Sequence, residues 1–182
     1  MNVSDLIKIG SDILKNKNIS SHILDSELLL SKTLMKSRED ILVNFNQKIN
    51  ENSILKFKRY LNRRSQNEPI AYILEEKEFW SKNFSINKGT LIPRPETELL
   101  VDKLTKIYKN KKLRILDIGT GSGCIIISLL DSLNKSSGIG VDISKKAIRN
   151  AKKNRLKFKM QSRLKLINKS FDSIFNQKFD LI

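Results

Sequence analysis

The stretch Ile115-Leu116-Asp117-Ile118-Gly119-Thr120-Gly121-Ser122-Gly123, with Gly140-Val141-Asp142 behind it, has the residue types a small-molecule site needs. The glycine run follows an apolar segment, Leu113 to Ile118, and precedes another, Cys124 to Leu130, so the order reads strand, tight turn, helix. Glycines at 119, 121 and 123 let the backbone approach a ligand closely and turn helix N-terminal amides toward it. Asp142 closes the apolar run Ile139 to Val141, at a spacing where a carboxylate accepts hydrogen bonds from a ribose diol. Charge narrows the choice of ligand. A dinucleotide motif would put its third glycine at 124, where this chain has Cys124. Asp117 would repel a pyrophosphate but suits a ligand carrying an ammonium and a sulfonium. S-adenosyl-L-methionine is such a ligand, and Asp117, Gly119, Thr120, Gly121, Ser122, Gly123 and Asp142 are its expected contacts. No metal site is expected.

A second group precedes the glycine loop: Leu91-Ile92-Pro93-Arg94-Pro95-Glu96-Thr97-Glu98. On one reading Pro93 and Pro95 stop a strand and pre-set a helix, and Glu96 and Glu98 complement the dipole of its first turn. On the other, this rigid corner lies over the cofactor and shapes a substrate pocket, with Arg94, Pro95, Glu96, Thr97 and Glu98 as candidates and Arg94 paired to Glu96 or Glu98.

Taken with Arg63-Arg64-Ser65-Gln66-Asn67-Glu68-Pro69-Ile70-Ala71-Tyr72-Ile73 and Glu78-Phe79-Trp80, these motifs resemble the peptide chain release factor N5-glutamine methyltransferase family. The resemblance runs from about Asp25 to the last residue, in the family's order and spacing. It implies methylation of the glutamine side chain in the Gly-Gly-Gln motif of class I release factors. A cousin family that modifies a ribosomal-protein glutamine has a different proline segment. The resemblance also implies that Phe171 flanks the adenine, whereas the acid that usually precedes this aromatic is Ser170 here, with Asp172 one residue late. In the family a fourth strand leads into Asn-Pro-Pro-Tyr, whose asparagine and first proline carbonyl orient the target amide for in-line attack. The prolines of this chain are Pro69, Pro93 and Pro95, and its fourth strand begins at Phe179. That motif is therefore expected beyond Ile182, no catalytic residue is assigned within the chain, and the chain is read as an incomplete copy. Two other readings stand beside this one: a nucleic-acid adenine or cytosine methyltransferase, and a non-catalytic or vestigial binding fragment.

Three helices are expected to precede the motifs. Val3 to Lys15 carries Val3, Leu6, Ile7, Ile13 and Leu14 at helical spacing with Ser4 as cap. Ser21 to Lys36 and Asn52 to Arg64 follow, with a turn at Arg38 to Val43, and Pro69 ends the group. Glu78 to Trp80 and Phe84 to Ile86 read as a hairpin around Ser81-Lys82-Asn83. Ser144 caps a helix to about Lys157, and Arg163 to Asn168 gives a third strand. The expected architecture is α/β: a helical substrate-recognition domain over residues 1–75, a β-hairpin connector over 76–92, and over 93–182 the N-terminal half of a doubly wound, Rossmann-like methyltransferase domain.

Composition sets the remaining expectations. The formal net charge is +16, but lysines are dispersed along the chain, so solvated faces are favoured over direct nucleic-acid binding. No apolar run approaches a bilayer-spanning length and the first residues do not form a signal peptide, so a cytoplasmic monomer is expected, with no membrane contact and with class I release factors as partners. The single cysteine, Cys124, reads as a packing residue, and the single histidine, His22, as a surface or cap-adjacent one.

Overall fold

The computed structural model describes residues 1–174 and 177–182, and the chain divides into two compact units, Met1–Leu74 and Glu75–Ile182. The first unit is helical: α1 (Val3–Lys15), α2 (His22–Leu34), α3 (Arg38–Val43), α4 (Glu51–Ser65) and α5 (Ile70–Leu74). Val3, Leu6 and Leu14 of α1, Leu29 and Leu30 of α2, and Phe57 and Leu61 of α4 are buried together. Each such side chain removed from water contributes about 1.5–3 kcal/mol, which is what holds short helices that would be marginal alone.

Local details depart from the sequence reading. Asn2, not Ser4, caps α1, its side chain accepting from Asp5 N–H while the Asp5 carboxylate accepts from Asn2 N–H. The segment Arg38–Val43 is a helix, since Ser37 and Asp40 close the same reciprocal box. Pro69 does not end the helical unit: its carbonyl accepts from Tyr72 and Ile73 as α5 begins.

The Arg63-Arg64 segment is tied down within this unit. Arg63 forks onto Glu68 through Nε and Nη2 at 2.9 and 2.8 Å. Arg64 Nε meets Asp25 Oδ2 at 2.6 Å, with Asp25 only 2% exposed.

The second unit opens with an antiparallel hairpin, β1 (Glu76–Phe79) and β2 (Lys82–Ser85). Its loop is Trp80-Ser81, with φ of 52° and 53°, and not the expected Ser81-Lys82-Asn83, since Lys82 and Asn83 already pair with Phe79 and Glu78. Such a turn normally calls for Asn-Gly, and a bulky residue in this region is strained. A carboxylate outside the hairpin holds it: Glu98 Oε1 accepts from Trp80 N–H at 3.0 Å. After a 3₁₀ turn at Pro95–Thr97 come α6 (Glu98–Ile107), β3 (Arg114–Ile118), α7 (Cys124–Ser132), β4 (Ser137–Val141), α8 (Lys145–Lys157) and β5 (Leu164–Ile167). The three strands are parallel, in the order β3-β4-β5, and Leu181 bridges to Ile115 on the free side of β3.

Parallel strands linked by helices leave the turns after β3, β4 and β5 at one end of the sheet, where open α/β sheets hold ligands. Asn154 of α8 locks the hairpin to this frame. Its Oδ1 accepts from Ser85 N–H at 2.8 Å, and its Nδ2 donates to the carbonyls of Ser85 and Ser122, both at 2.9 Å.

Candidate functional site

At the carboxyl end of β3 the chain must reverse within a few residues. Gly119, Gly121 and Gly123 take φ of +73°, +56° and +79°, conformations that a side chain would oppose. Gly119 N–H and Thr120 N–H both donate to Val141 O at 2.9 Å, which sews the loop to the end of β4. Gly123 caps α7, and Ser122 is buried with its carbonyl held by Asn154. Gly140 is required for a different reason: a Cβ there would lie 2.8 Å from Thr120 Oγ1 and 2.9 Å from Leu166 Cδ2.

Two carboxylates define the electrostatics. Asp142 Oδ2 accepts from Gly121 N–H at 3.0 Å and Oδ1 from Ser144 N–H at 2.8 Å. Each oxygen retains lone-pair capacity for a further donor, such as a ribose hydroxyl. Asp117 Oδ2 accepts from the Thr120 hydroxyl at 2.7 Å. Removal from water raises the Asp117 carboxyl to about 6, and the nearby charge of Asp142 adds to the rise, against the lowering effect of the Thr120 hydrogen bond. The site is thus a partly desolvated acidic pair around a glycine turn, poised to accept a cation.

Asp117, Gly119, Thr120, Gly121, Ser122, Gly123 and Asp142 are brought together by the loop. Phe171 comes from a different segment, the 3₁₀ turn Phe171–Ile174. It is 46% exposed and helps line a cavity of about 290 Å³ with Leu116, Ile118, Ile174, Phe179 and Ile182. Ser170 donates its hydroxyl to Asp172 at 3.0 Å.

In the corner at 94–98, Pro95 and Glu98 line a cavity of about 250 Å³ with Lys77, Glu78, Phe79 and Ser81 of the hairpin. Arg94 forms no ion pair with Glu96 or Glu98 among the described residues, and Glu98 instead supports Trp80. Cys124 is buried, and burial pushes its thiol up to about 11, which suits packing and not nucleophilic attack. His22 opens α2, its Nδ1 2.8 Å from Ser11 Oγ.

Two residues were missed by the sequence reading. Asn168 Nδ2 donates to the carbonyls of Asp142 and Ile143 at 2.8 and 2.9 Å, fixing the turn after β4 from the turn after β5. Ile143, 79% exposed, presents apolar surface directly beside Asp142. A polar residue closing one strand and an apolar residue just outside another were the available signals.

Comparison with known proteins follows the same division of the chain. A family model described as the PrmC N-terminal domain matches residues 5–74, and one described as a methyltransferase domain matches residues 109–182. The release factor glutamine methyltransferase of Clostridium botulinum is 38% identical over 186 residues, spanning 100% of this chain and 66% of the relative. That of Buchnera aphidicola subsp. Schizaphis graminum is 40% identical over 159 residues, 87% of this chain and 57% of the relative. The chain belongs to the release factor glutamine methyltransferase family.

A bifunctional methyltransferase of Rickettsia felis is 36% identical over 209 residues, which cover 99% of this chain and 40% of that protein. The chain therefore spans about two fifths to two thirds of the length of these family relatives. Among solved structures, a ribosomal protein L11 methylase from Lactobacillus delbrueckii subsp. bulgaricus matches 53% of this chain and 49% of its own, at 25% identity and a TM-score of 0.44. Methyltransferase-domain membership agrees with the parallel sheet and the glycine turn of the second unit. No helix among the described residues is long and apolar enough to cross a membrane.

Proposed function

We propose that this chain carries the S-adenosyl-L-methionine site and the partner-recognition unit of a protein-glutamine N5-methyltransferase, acting in the cytoplasm on the Gly-Gly-Gln motif of class I release factors. One observation carries the choice of cofactor: Asp117 and Asp142 flank a glycine turn that has no basic residue of its own between Asp117 and Gly123. A pyrophosphate brought there would meet two carboxylates, whereas an ammonium and a sulfonium would be attracted by them.

The residues present fit such a group. Asp142, pinned by Gly121, Ser144 and Asn168, is held ready to accept from a ribose diol. Asp117 supplies negative charge under the loop, and Thr120 holds that carboxylate in place. Ile143 and Phe171 offer apolar surface for a base. When bound, the cofactor supplies an electrophilic methyl group on sulfur. This chain's part is to fix the donor's position, because an amide nitrogen is a poor nucleophile and alignment carries much of the rate.

The helical unit is proposed to dock the release factor, with residues 76–92 connecting it to a methyltransferase domain over 93–182 and Arg94 to Glu98 shaping the glutamine side of the pocket. Calorimetric titration of the chain with S-adenosylmethionine and, separately, NAD tests the cofactor. Saturable binding of NAD without binding of S-adenosylmethionine would overturn the assignment. Transfer of labelled methyl to a release factor, lost when its motif glutamine is replaced by alanine, tests the substrate. Label appearing on nucleic acid instead would favour the nucleic-acid methyltransferase reading.

A further inference from the structure

The end of the sheet opposite the glycine turn has the reverse charge. Lys112 and Arg114 lead into β3, Lys135 leads into β4, and Lys159, Arg163 and Lys165 surround the start of β5. A cavity of about 320 Å³ opens there between the first residues of the three strands. Arg114, Arg155, Arg163 and Lys165 line it with Ser137 and Ser162, and no carboxylate does.

Backbone groups, not acids, occupy the arginines. Arg163 Nη1 donates to Leu130 O at 2.6 Å and Ser136 O at 3.2 Å, while Arg155 Nη1 donates to Leu164 O at 3.1 Å. The buried Nε of Arg155 has no partner among the described residues. Arg114 reaches the Gln177 side chain and Lys178 O. The two acids near this end are already engaged, Asp131 with Lys82 at 2.9 Å and Asp180 with Arg114 N–H at 2.7 Å. None of the four lining cations is neutralised by a salt bridge among the described residues.

A bias toward lysine would scatter charge over the surface, but it would not also line one cavity at the end of a sheet with four cations and no carboxylate. We propose that this basic end is a binding site for the phosphodiester backbone of single-stranded RNA, separate from the methyl-donor site. Neighbouring strands are about 4.8 Å apart, so cations leading into three of them span roughly 10 Å, more than a single phosphate needs. Nucleic-acid strands carry one charge per about 3.4 Å of axis, which lets such a row meet several phosphates in succession. Five-residue strands separate the two ends by about 16 Å. RNA held here is therefore not placed as the methyl acceptor, and its binding does not depend on the cofactor assignment.

Fluorescence anisotropy of a labelled twelve-nucleotide oligo(U) against the full chain, across a salt series, tests the site. The exposed lysines are replaced together as Lys112→Gln, Lys135→Gln and Lys165→Gln, and a control of equal charge carries Lys8→Gln, Lys15→Gln and Lys17→Gln. Each phosphate contact contributes about 0.7 to the slope of log affinity against log salt for single strands. The first triple variant should flatten the slope by about 2 and weaken binding roughly a hundredfold at 0.1 M salt, and the control should bind as wild type. Saturating S-adenosylmethionine should leave RNA affinity unchanged. Equal losses in both variants, undetectable RNA binding, or tight binding of inorganic triphosphate with none of RNA would each overturn the proposal.

Discussion

Replacing Asp117 by asparagine should stabilise the second unit at neutral pH while weakening its hold on a cationic cofactor. The carboxyl is raised from 3.8 to about 6, chiefly because folding removes it from water. Below pH 3.8 it is protonated in both folded and unfolded chains and has no effect on stability. As pH rises toward 6 the unfolded chain ionises while the folded one keeps its proton, so the folded state loses ground. Above pH 6 the loss levels off at about 3 kcal/mol. Asparagine keeps an oxygen to accept from the Thr120 hydroxyl but has no charge to desolvate. Urea unfolding followed by fluorescence of Trp80, the only tryptophan and a residue of the second unit, isolates the relevant transition. Variant and wild type should match near pH 4 and separate by up to about 3 kcal/mol, in favour of the variant, by pH 7.5. Binding should change in the opposite sense. A bound cation draws the carboxyl back toward its ordinary range, so wild-type affinity for S-adenosylmethionine rises up to about pH 6, and Asp117→Asn flattens and lowers that profile. A stability difference independent of pH, or a variant less stable than wild type at pH 7.5, would refute the argument.

Asp142→Ala should weaken S-adenosylmethionine binding by about 1–3 kcal/mol in calorimetry, since it removes the acceptor for the ribose and leaves Gly121 N–H without its partner. Asn154→Ala leaves the buried Ser85 N–H and the Ser122 carbonyl without their side-chain partner, while the Ser85 carbonyl keeps Asn150 Nδ2 at 2.7 Å, so Trp80-detected unfolding should show a loss of at least about 2 kcal/mol. Arg64→Ala strands Asp25 in the helical unit, where breaking a buried pair costs about 3–5 kcal/mol, and far-ultraviolet dichroism should show those helices melting earlier. Below pH 9 Cys124 should react with a thiol reagent only as fast as the second unit opens, because burial keeps it protonated up to about 11; immediate native-state labelling would contradict this.

The parts of the fold that sequence predicted well are those set by near neighbours. Strand, glycine turn and helix around Gly119 to Gly123 follow from local apolar runs and from backbone angles that only glycine takes easily. Ser144 capping α8 is likewise a three-residue matter, its Oγ accepting from Ala147 N–H at 3.2 Å. The hairpin turn was misplaced because its strain at Trp80 is compensated from Glu98, a residue on another element that no local pattern reveals. Phe171 shows the same limit, since its cavity depends on Leu116 of β3 and on Phe179 and Ile182 of the C-terminal segment converging on it.

The two ends of the parallel sheet carry this point further. Asp117 and Asp142 are each ordinary strand-end acids in sequence, as Lys112, Lys135 and Lys165 are ordinary surface lysines. Parallel strands gather every strand's end on one side and every strand's start on the other. Charges far apart along the chain thereby become two fields of opposite sign, an acidic one suited to a cationic cofactor and a basic one suited to phosphates. Motifs marked the first because its glycines have a fixed spacing. The second has no such spacing, and it becomes visible only when the strand order is known.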